Sequence, residues 1–237
     1  MSGVPPSSDG SPDRTPGIPA ATVVPLRDGP EGLEVLMLRR NSKLAFGGMW
    51  VFPGGRVDEA DGDLETDGEH EVARRAAARE AAEEAGIVLD PSALVAFSHW
   101  TPPAQAPKRF LTWFFLAPLR EAVEIVIDGG EIHDHRWTTP ATMIQRRDEG
   151  EVELAPPTWM TLHRLSLAPN VDAALAEAGG REPERFATRV KPFGGGLLLL
   201  WKGDAGWESG DPALPGPRHR LTTGDGAWRY EGASHRR

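Results

Sequence analysis

Three glutamates, Glu80, Glu83 and Glu84, are clustered in a segment made mostly of alanine, arginine and glutamate. The composition of residues 71–87 strongly favours an α-helix. At about 100° per residue, the three carboxylates share an arc of roughly 100° on that helix. Neither Glu80 nor Glu84 has a basic residue four positions downstream, so repulsion between them costs stability unless a cation neutralises it. Clustered carboxylates suit hard divalent ions such as Mg²⁺. Two interpretations are open, a divalent-cation site and a solvated acidic face.

The sequence also predicts where this helix begins and ends. Thr66 and Glu69 have the Ser/Thr-x-x-Glu spacing of a capping box. Gly86 stands where a left-handed C-cap residue would end the helix. Four alanines are predicted to lie opposite the carboxylates and to pack closely onto a sheet: Ala78, Ala81, Ala82 and Ala85.

The same segment resembles the core of the Nudix box, usually written G-x5-E-x7-R-E-U-x-E-E-x-G-U with U apolar. Residues 79–87 follow the second half of this pattern, and Glu71 stands eight residues before Arg79, as the pattern requires. Phe52–Gly55 resembles the strand end and loop that precede the box. Fifteen residues separate Gly55 from Glu71 where the pattern has five, so the difference of ten residues is an insertion. The resemblance implies the α/β/α sandwich of Nudix proteins, with a mixed sheet between helices.

The resemblance also implies a role for each residue of the motif. Glu80, Glu83 and Glu84 would bind Mg²⁺, for which Mn²⁺ can substitute, and one of them would act on the attacking water. Arg79 would orient the glutamates, with a plain surface salt bridge as the alternative. Gly55 would offer its backbone carbonyl oxygen to the metal, although a simple turn would also use glycine here.

A further carboxylate is expected from outside the helix. Glu131 precedes Trp137 by six residues, and this stretch resembles the one that supplies an additional acid in many Nudix enzymes. Glu131 is the first candidate for a fourth ligand or general base, and Asp134 is the second. A loop acid without a role is the alternative.

The reaction implied by the resemblance is hydrolysis of a nucleoside diphosphate linked to another moiety X, with divalent cations bridging the acidic helix and the anionic substrate. Residues 38–55 partly resemble the motif of coenzyme A diphosphatases. Residues 99–103, 108–110 and 156–158 resemble the long-insertion branch that includes peroxisomal acyl-CoA diphosphatases. A CoA derivative is therefore the first substrate candidate. ADP-ribose and NADH are its rivals, and a non-catalytic Nudix-type regulatory module that binds a nucleotide is the alternative to an enzyme.

Three residues outside the box are candidates for substrate contacts. Arg39 and Arg109 could hold phosphates, and Trp100 could stack on a nucleobase. Ordinary strand-end and core roles are the alternative for each of them.

Composition limits the partners and the location of the protein. The formal net charge of the 237 residues is −9, which makes a nucleic-acid backbone an improbable partner. The chain has no cysteine, which excludes disulfides, a thiol nucleophile and a thiolate metal site. Its longest apolar run, residues 197–201, is too short for a membrane span, and its N-terminus lacks a signal sequence. These features predict a cytoplasmic protein that acts on a small molecule.

The chain is predicted to have three parts: a disordered tail at residues 1–18, an α/β Nudix hydrolase domain at 19–178, and a β-rich extension at 179–237 packed on that domain. A dimerisation element, and hence a homodimer, is the alternative for the extension. Residues 58–71 hold eight acidic residues and no Lys or Arg, so they predict a solvated, mobile loop or a segment that assists metal capture. Short strands and helices are predicted at 20–26, 33–39, 49–52, 93–100, 109–116, 132–137, 140–147, 156–167, 171–178, 185–190, 197–201 and 227–230, and residues 125–127 are a further short apolar run.

Overall fold

The computed structural model of this protein describes residues 17–41, 47–224 and 226–232. The strands are β1 (Gly17–Gly29), β2 (Gly32–Arg40), β3 (Trp50–Val51), β4 (Gly54–Arg56), β5 (Val95–Thr101), β6 (Arg109–Pro118), β7 (Ile132–Thr138), β8 (Glu184–Ala187), β9 (Arg189–Phe193), β10 (Gly196–Leu200), β11 (His219–Thr222) and β12 (Arg229–Gly232). The helices are α1 (Glu69–Ala85), α2 (Pro140–Asp148), α3 (Pro156–Leu165) and α4 (Val171–Gly179). Short 3-10 turns cover Glu59–Asp61 and Pro91–Ala93.

Eight strands form one mixed sheet in the order β3-β2-β1-β6-β5-β8, with β4 also paired to β1 and β7 to β2. The β1–β6 and β5–β8 pairs are parallel and the other pairs are antiparallel. Strands β1 and β2 form the predicted hairpin, in which Gly29 pairs with Gly32 across two turn residues. Gly32 has φ 113°, a left-handed conformation that glycine adopts without strain. Strand β1 begins at Gly17, so the end of the predicted tail belongs to the sheet, and residues 1–16 of that tail lie outside the described residues.

Helices cover both faces of this sheet. Helix α1 packs its alanines on one face, against a cluster that includes Ala21, Leu36 and Phe115. Helices α2, α3 and α4 pack on the opposite face with a second cluster that includes Trp159. The prediction of an α/β/α sandwich with a mixed sheet is therefore confirmed. The short run 125–127, in contrast, forms no strand, and the described helices contain none with the length and apolar character needed to cross a bilayer.

The C-terminal segment has two structural parts. The predicted single strand at 185–190 is in fact two strands, because the chain changes sheets at Thr188, whose N–H donates to the carbonyl oxygen of Thr101. Strand β8 extends the main sheet beside β5, and β9–β12 form a separate antiparallel sheet in the order β12-β11-β10-β9. Rings from both parts share one core: Trp100 stacks on Phe186 with ring centroids 4.0 Å apart, and Trp201 packs edge-on against both. The predicted β-rich extension is present, and its first strand belongs to the central sheet.

A buried ion pair fixes the loop that precedes β11. Both carboxylate oxygens of Asp204 accept hydrogen bonds from Arg220, at 2.6 and 2.5 Å, and backbone N–H groups of Gly206 and His219 donate to the same carboxylate. Burial raises the pKa of Asp204, but the hydrogen bonds from Arg220 and the two N–H groups outweigh burial and lower the pKa to about 2. The carboxylate is therefore charged at all ordinary pH values.

We expect Asp204→Asn to lower the free energy of unfolding by about 3 kcal/mol at pH 7, because Arg220 would stay buried without its counter-charge. A carboxyl group whose pKa falls on folding stabilises the protein above its unfolded pKa, near 3.8, and this contribution disappears as pH falls toward about 2. Urea unfolding at pH 7 and between pH 5 and pH 2.5 measures both effects. Equal stability of the variant and the wild type at pH 7 would contradict the assignment.

Candidate functional site

Helix α1 presents the candidate carboxylates, and its two ends differ in how well they were predicted. It begins at Glu69 with Gly68 as the N-cap residue and no side-chain cap, so the predicted capping box of Thr66 and Glu69 is wrong. The carboxylate of Glu69 instead accepts a hydrogen bond from Trp113 Nε1 at 3.1 Å. Gly86 ends the helix in the left-handed conformation, with φ 68°, as predicted.

The glutamates lie beside the buried stripe of the helix, not opposite it. Three of the four alanines predicted to face the sheet are buried, but Ala82 is exposed. Glu84 is only 5% exposed and belongs to the sheet-facing side, together with Ala81 and Ala77, which lie about one and two turns earlier on the helix. In the C-terminal half of α1, carboxylates therefore lie along the edge of the face that packs on the sheet, next to the start of β4.

Glu84 is held next to β4 by contacts with the sheet. Its Oε2 accepts a hydrogen bond from the backbone N–H of Gly54 at 3.0 Å, and its Oε1 accepts one from Arg40 Nη1 at 3.3 Å. Burial raises the pKa of Glu84 to about 7, and Glu80 and Glu131 add to this effect, although the Gly54 N–H and Arg40 oppose it. A buried carboxyl group with a raised pKa therefore lies beside the Gly54 backbone, at a position where a cation could bind.

Glu80 occupies space that only glycine leaves free. A Cβ atom on Gly55 would lie 2.3 Å from Oε1 of Glu80, far inside van der Waals contact. The absence of that atom lets the carboxylate lie directly over the β4 backbone. Burial also raises the pKa of Glu80, against the lowering effect of Arg79. The Gly54–Gly55 backbone and two carboxylates are thus brought together, as the sequence predicted.

Arg79 connects the acidic segment before α1 to the glutamates. Its guanidinium donates to both carboxylate oxygens of Asp61 and to the carbonyl oxygen of Arg56, each at 3.0 Å. It also donates to Glu80 and to Glu83, both at 3.0 Å. The hydrogen bonds to Asp61 are the main cause of the raised pKa of Arg79, so this side chain stays charged. Arg79 therefore contacts two of the three glutamates, and the orienting role that the resemblance implied stays a prediction.

Asp61 is a site residue that the sequence reasoning missed. Its side chain is buried, and it lies in the short 3-10 turn of the segment that was expected to be a solvated loop. A signal was present, because five residues separate Gly55 from Asp61, the G-x5 spacing of the box. Glu71, which was assigned to this position by its distance from Arg79, is exposed and contacts Arg74 and His70. The ten extra residues therefore follow the paired acid instead of preceding it.

Glu131 joins the cluster from the segment before β7. Its Oε2 accepts a hydrogen bond from Arg40 Nη2 at 2.6 Å, and its side chain is 56% exposed. Arg40 thereby bridges Glu131 to the buried Glu84. Asp134, the second candidate, pairs with Arg39 in the β2–β7 ladder. Arg40 was not predicted as a site residue.

Two of the three substrate candidates, Arg39 and Trp100, lie outside the carboxylate cluster. Arg39 is paired with Trp50 of β3, whose ring lies in the core on the α2–α4 side, whereas Arg40 reaches Glu84 on α1, so the two arginines point to opposite faces of the sheet. Arg109 lies at the start of β6, paired with Gly17. Trp100 is 4% exposed and stacked on Phe186, so its ring belongs to the core and is covered on that side.

The residues of this cluster fit a hard divalent cation by donor type. The carboxylates of Glu80, Glu83 and Glu84 are oxygen donors, and the missing Cβ of Gly55 leaves room beside Glu80. In the described parts of the chain, however, no three Asp, Glu, His or Cys side chains stand close enough to hold a metal as they are placed. The charges of the acids are met by arginine instead, since Arg79 binds Glu80 and Glu83 and Arg40 binds Glu84.

Comparisons with known proteins agree on one family. The model of the NUDIX domain family matches residues 17–177. A curated Caenorhabditis elegans protein named "Putative nudix hydrolase 7" is 29% identical, over 69% of this chain and 66% of its own length, so the chain spans just under two thirds of that relative. The crystal structure of a NUDIX hydrolase from Alicyclobacillus acidocaldarius superposes with a TM-score of 0.62 and 26% identity, covering 68% of this chain and 96% of the other.

Proposed function

Because this chain belongs to the Nudix family, we propose that it hydrolyses the diphosphate linkage of a nucleoside diphosphate joined to a moiety X, with Mg²⁺ or Mn²⁺ as cofactor. Nudix hydrolases generally use divalent metal cations. The observation that carries the proposal is the packing of the Glu80 and Glu84 carboxylates against the Gly54–Gly55 backbone, beside the anchored guanidinium of Arg79. A solvated acidic face would not bury a carboxylate to this extent.

Each side chain of the cluster has a task in this reaction. Glu80, Glu83 and Glu84 would hold the cation, with the carbonyl oxygen of Gly55 as a further ligand. The bound cation supplies positive charge toward the phosphoryl oxygens and a water of lowered pKa. Arg79 keeps Glu80 and Glu83 in place through its anchor on Asp61.

Glu131 is the residue that we assign to the proton of the attacking water. It lies at the exposed rim of the cluster, where a diphosphate can approach, and Arg40 holds its carboxylate. Water adds to one phosphorus, the bridging P–O bond breaks, and two phosphate monoesters leave, so no covalent intermediate with the protein is required. A fourth-ligand role for Glu131 remains the alternative within the same proposal.

The substrate assignment within this class rests on resemblance. A CoA derivative is the first candidate, and ADP-ribose and NADH are the rivals. The positions of Arg39 and Trp100 do not support the substrate contacts expected of them, since Arg39 faces away from the cluster and Trp100 is buried. Arg109 stays a candidate for a phosphate contact. The choice among the three substrates therefore depends on measurement.

Product release from a panel of nucleotides tests the proposal. CoA, an acyl-CoA, ADP-ribose and NADH are each incubated with the protein and Mg²⁺, Mn²⁺ or EDTA, and the products are separated by chromatography. We expect turnover of at least one of them with either metal and none with EDTA. Tight nucleotide binding without turnover on any of them would favour the non-catalytic regulatory module instead.

Replacement of the two loop glycines by alanine should have different effects, on activity at Gly55 and on stability at Gly54. A Cβ on Gly55 meets the end of the flexible Glu80 side chain, whereas a Cβ on Gly54 meets the backbone oxygen of Ala21 at 2.6 Å. Gly55→Ala should therefore keep the stability within about 1 kcal/mol and reduce turnover about a hundredfold by displacing Glu80. Gly54→Ala should lower the melting temperature. Kinetics and thermal unfolding of both variants check this, and full activity of Gly55→Ala would contradict it.

A further inference from the structure

Arg40 occupies a central position among the carboxylates of the cluster. Its Nη1 donates to Oε1 of Glu84 at 3.3 Å and its Nη2 donates to Oε2 of Glu131 at 2.6 Å. The Arg40 side chain is mostly buried, and its Nε makes no hydrogen bond within the described part of the chain. Both hydrogen bonds of the Arg40 guanidinium to carboxylates therefore go to acids of the proposed site.

The negative charge around Arg40 is larger than one arginine can neutralise. One guanidinium faces two carboxylates, those of Glu84 and Glu131, at 3.3 and 2.6 Å, while the nearby Glu80 is paired with Arg79, so the carboxylates around Arg40 repel one another. Burial makes this repulsion costly because water does not screen it well. The single positive charge of Arg40 neutralises part of this negative charge, and a divalent cation would neutralise more of it.

The two arginines of the cluster differ in what else holds them. Arg79 is fixed from outside the glutamates, by two hydrogen bonds to Asp61 and one to the carbonyl oxygen of Arg56. The hydrogen bonds of the Arg40 guanidinium, in contrast, go to Glu84 and Glu131. The contacts of Arg79 with Asp61 and Arg56 can persist when a cation binds to Glu80 and Glu83. Both hydrogen-bond partners of Arg40 are acids of the cluster, and one of them, Glu84, is a proposed ligand.

We propose that Arg40 is an internal counter-ion that competes with the divalent cation for Glu84, so that metal binding requires Arg40 to give up this carboxylate. The inference rests on the proposed function, since it takes Glu84 as a metal ligand. It explains why the acids are paired with arginine in this structure and do not form a ready metal cluster. It also makes Arg40 a residue that sets metal affinity.

Manganese binding to the substrate-free protein tests the competition directly. Free Mn²⁺ is followed by electron paramagnetic resonance during titration of the wild type, Arg40→Gln, Arg40→Lys and Arg39→Gln. Removal of one positive charge near the cation should tighten Mn²⁺ binding about tenfold in Arg40→Gln. Arg40→Lys keeps the charge and should stay near the wild type. Arg39→Gln is the matched control, because it removes the same charge from the neighbouring residue on the opposite face of the sheet.

Thermal unfolding adds a readout that does not depend on Mn²⁺ affinity alone. In EDTA, Arg40→Gln should melt below the wild type, because Glu84 and Glu131 lose their counter-ion. Saturating Mn²⁺ should then raise the melting temperature of the variant more than that of the wild type. Arg40→Met, which keeps the apolar stem of the side chain, replaces Arg40→Gln if the latter does not fold.

The outcomes separate the inference from the function on which it rests. Mn²⁺ binding that is unchanged or weaker in Arg40→Gln, with normal binding by the wild type, would overturn the competition and leave the hydrolase assignment standing. Weaker binding would indicate that Arg40 supports the ligands instead of competing for them. Failure of the wild type to bind Mn²⁺ would overturn the proposed metal site and the inference with it.

Discussion

Replacement of Glu84 by glutamine is expected to reduce turnover by about a thousandfold or more while the protein stays folded. Glutamine keeps the size of the side chain and can still accept the hydrogen bond from the Gly54 N–H. It removes the negative charge that would hold the cation, which is worth several kcal/mol in the transition state. Turnover on the best substrate of the panel, with saturating Mg²⁺, measures the loss.

The stability of the same variant should change little, and this makes the result diagnostic. Burial raises the pKa of Glu84 to about 7, so the folded protein holds this carboxylate in its charged form only at a cost near neutral pH. A neutral side chain removes that cost while it loses the ion pair with Arg40. We expect the free energy of unfolding without metal to stay within about 1 kcal/mol of the wild type. A large loss of stability would assign Glu84 a structural role.

Glu83→Gln should reduce turnover to a similar extent for the same reason. Its carboxylate is exposed and accepts a hydrogen bond from Arg79 at 3.0 Å, so the substitution leaves the core unchanged. Glu71→Gln is the matched control on the same helix, because Glu71 contacts Arg74 and His70 outside the cluster. Near-wild-type turnover in Glu83→Gln, or an equal loss in Glu71→Gln, would reject the assignment of the glutamates.

The second large effect is expected at Asp61, whose substitution should damage both stability and activity. Asp61→Asn removes the negative charge that anchors Arg79. The mostly buried guanidinium of Arg79 would then lack part of the negative charge that balances it. Breaking a buried ion pair from one side costs about 3 kcal/mol or more. Arg79 would then no longer hold Glu80 and Glu83, so turnover should also fall, by about a hundredfold. Urea unfolding and kinetics on one preparation measure both losses.

Asp58→Asn provides the comparison for this pair. Asp58 lies in the same turn, but its carboxylate is exposed and 3.8 Å from Arg79. Exposed pairs contribute about 1 kcal/mol or less, so this variant should be close to the wild type in both measurements. Equal effects of Asp58→Asn and Asp61→Asn would show that this turn acts through its total charge and not through the buried contact.

The sequence predicted the helix, the glutamates and the glycine loop because these features are local. The α-helix period places Glu80 and Glu84 together without knowledge of the rest of the chain. Arg39 and Arg40 show the limit of this reasoning. They are adjacent in sequence and lie on opposite faces of the sheet, so an error of one residue in the strand assignment exchanges a site residue for one that faces away.

The acid that pairs with Arg79 could not be chosen from spacing alone. Glu71 satisfies the distance to the arginine and Asp61 satisfies the distance to the glycine, and an insertion prevents one residue from satisfying both. The structure decides in favour of Asp61, because the segment before α1 passes over the guanidinium of Arg79, whereas Glu71 lies two turns away from Arg79 on the same helix. Trp100 had a similar ambiguity, since a tryptophan on a strand serves equally well in a core or under a base.

Strand β8 has a consequence for where this protein can be shortened. The family match ends at residue 177, yet Glu184–Ala187 supplies the last strand of the central sheet and covers the edge of β5. A chain cut near residue 178 would bare the backbone of β5 and leave Trp100 without Phe186 and Trp201. Such a fragment would expose an unpaired edge and an apolar ring surface, which is the combination that drives edge-to-edge aggregation. A fragment cut to the residues of the family match, 17–177, is therefore expected to form inclusion bodies and not a minimal soluble domain.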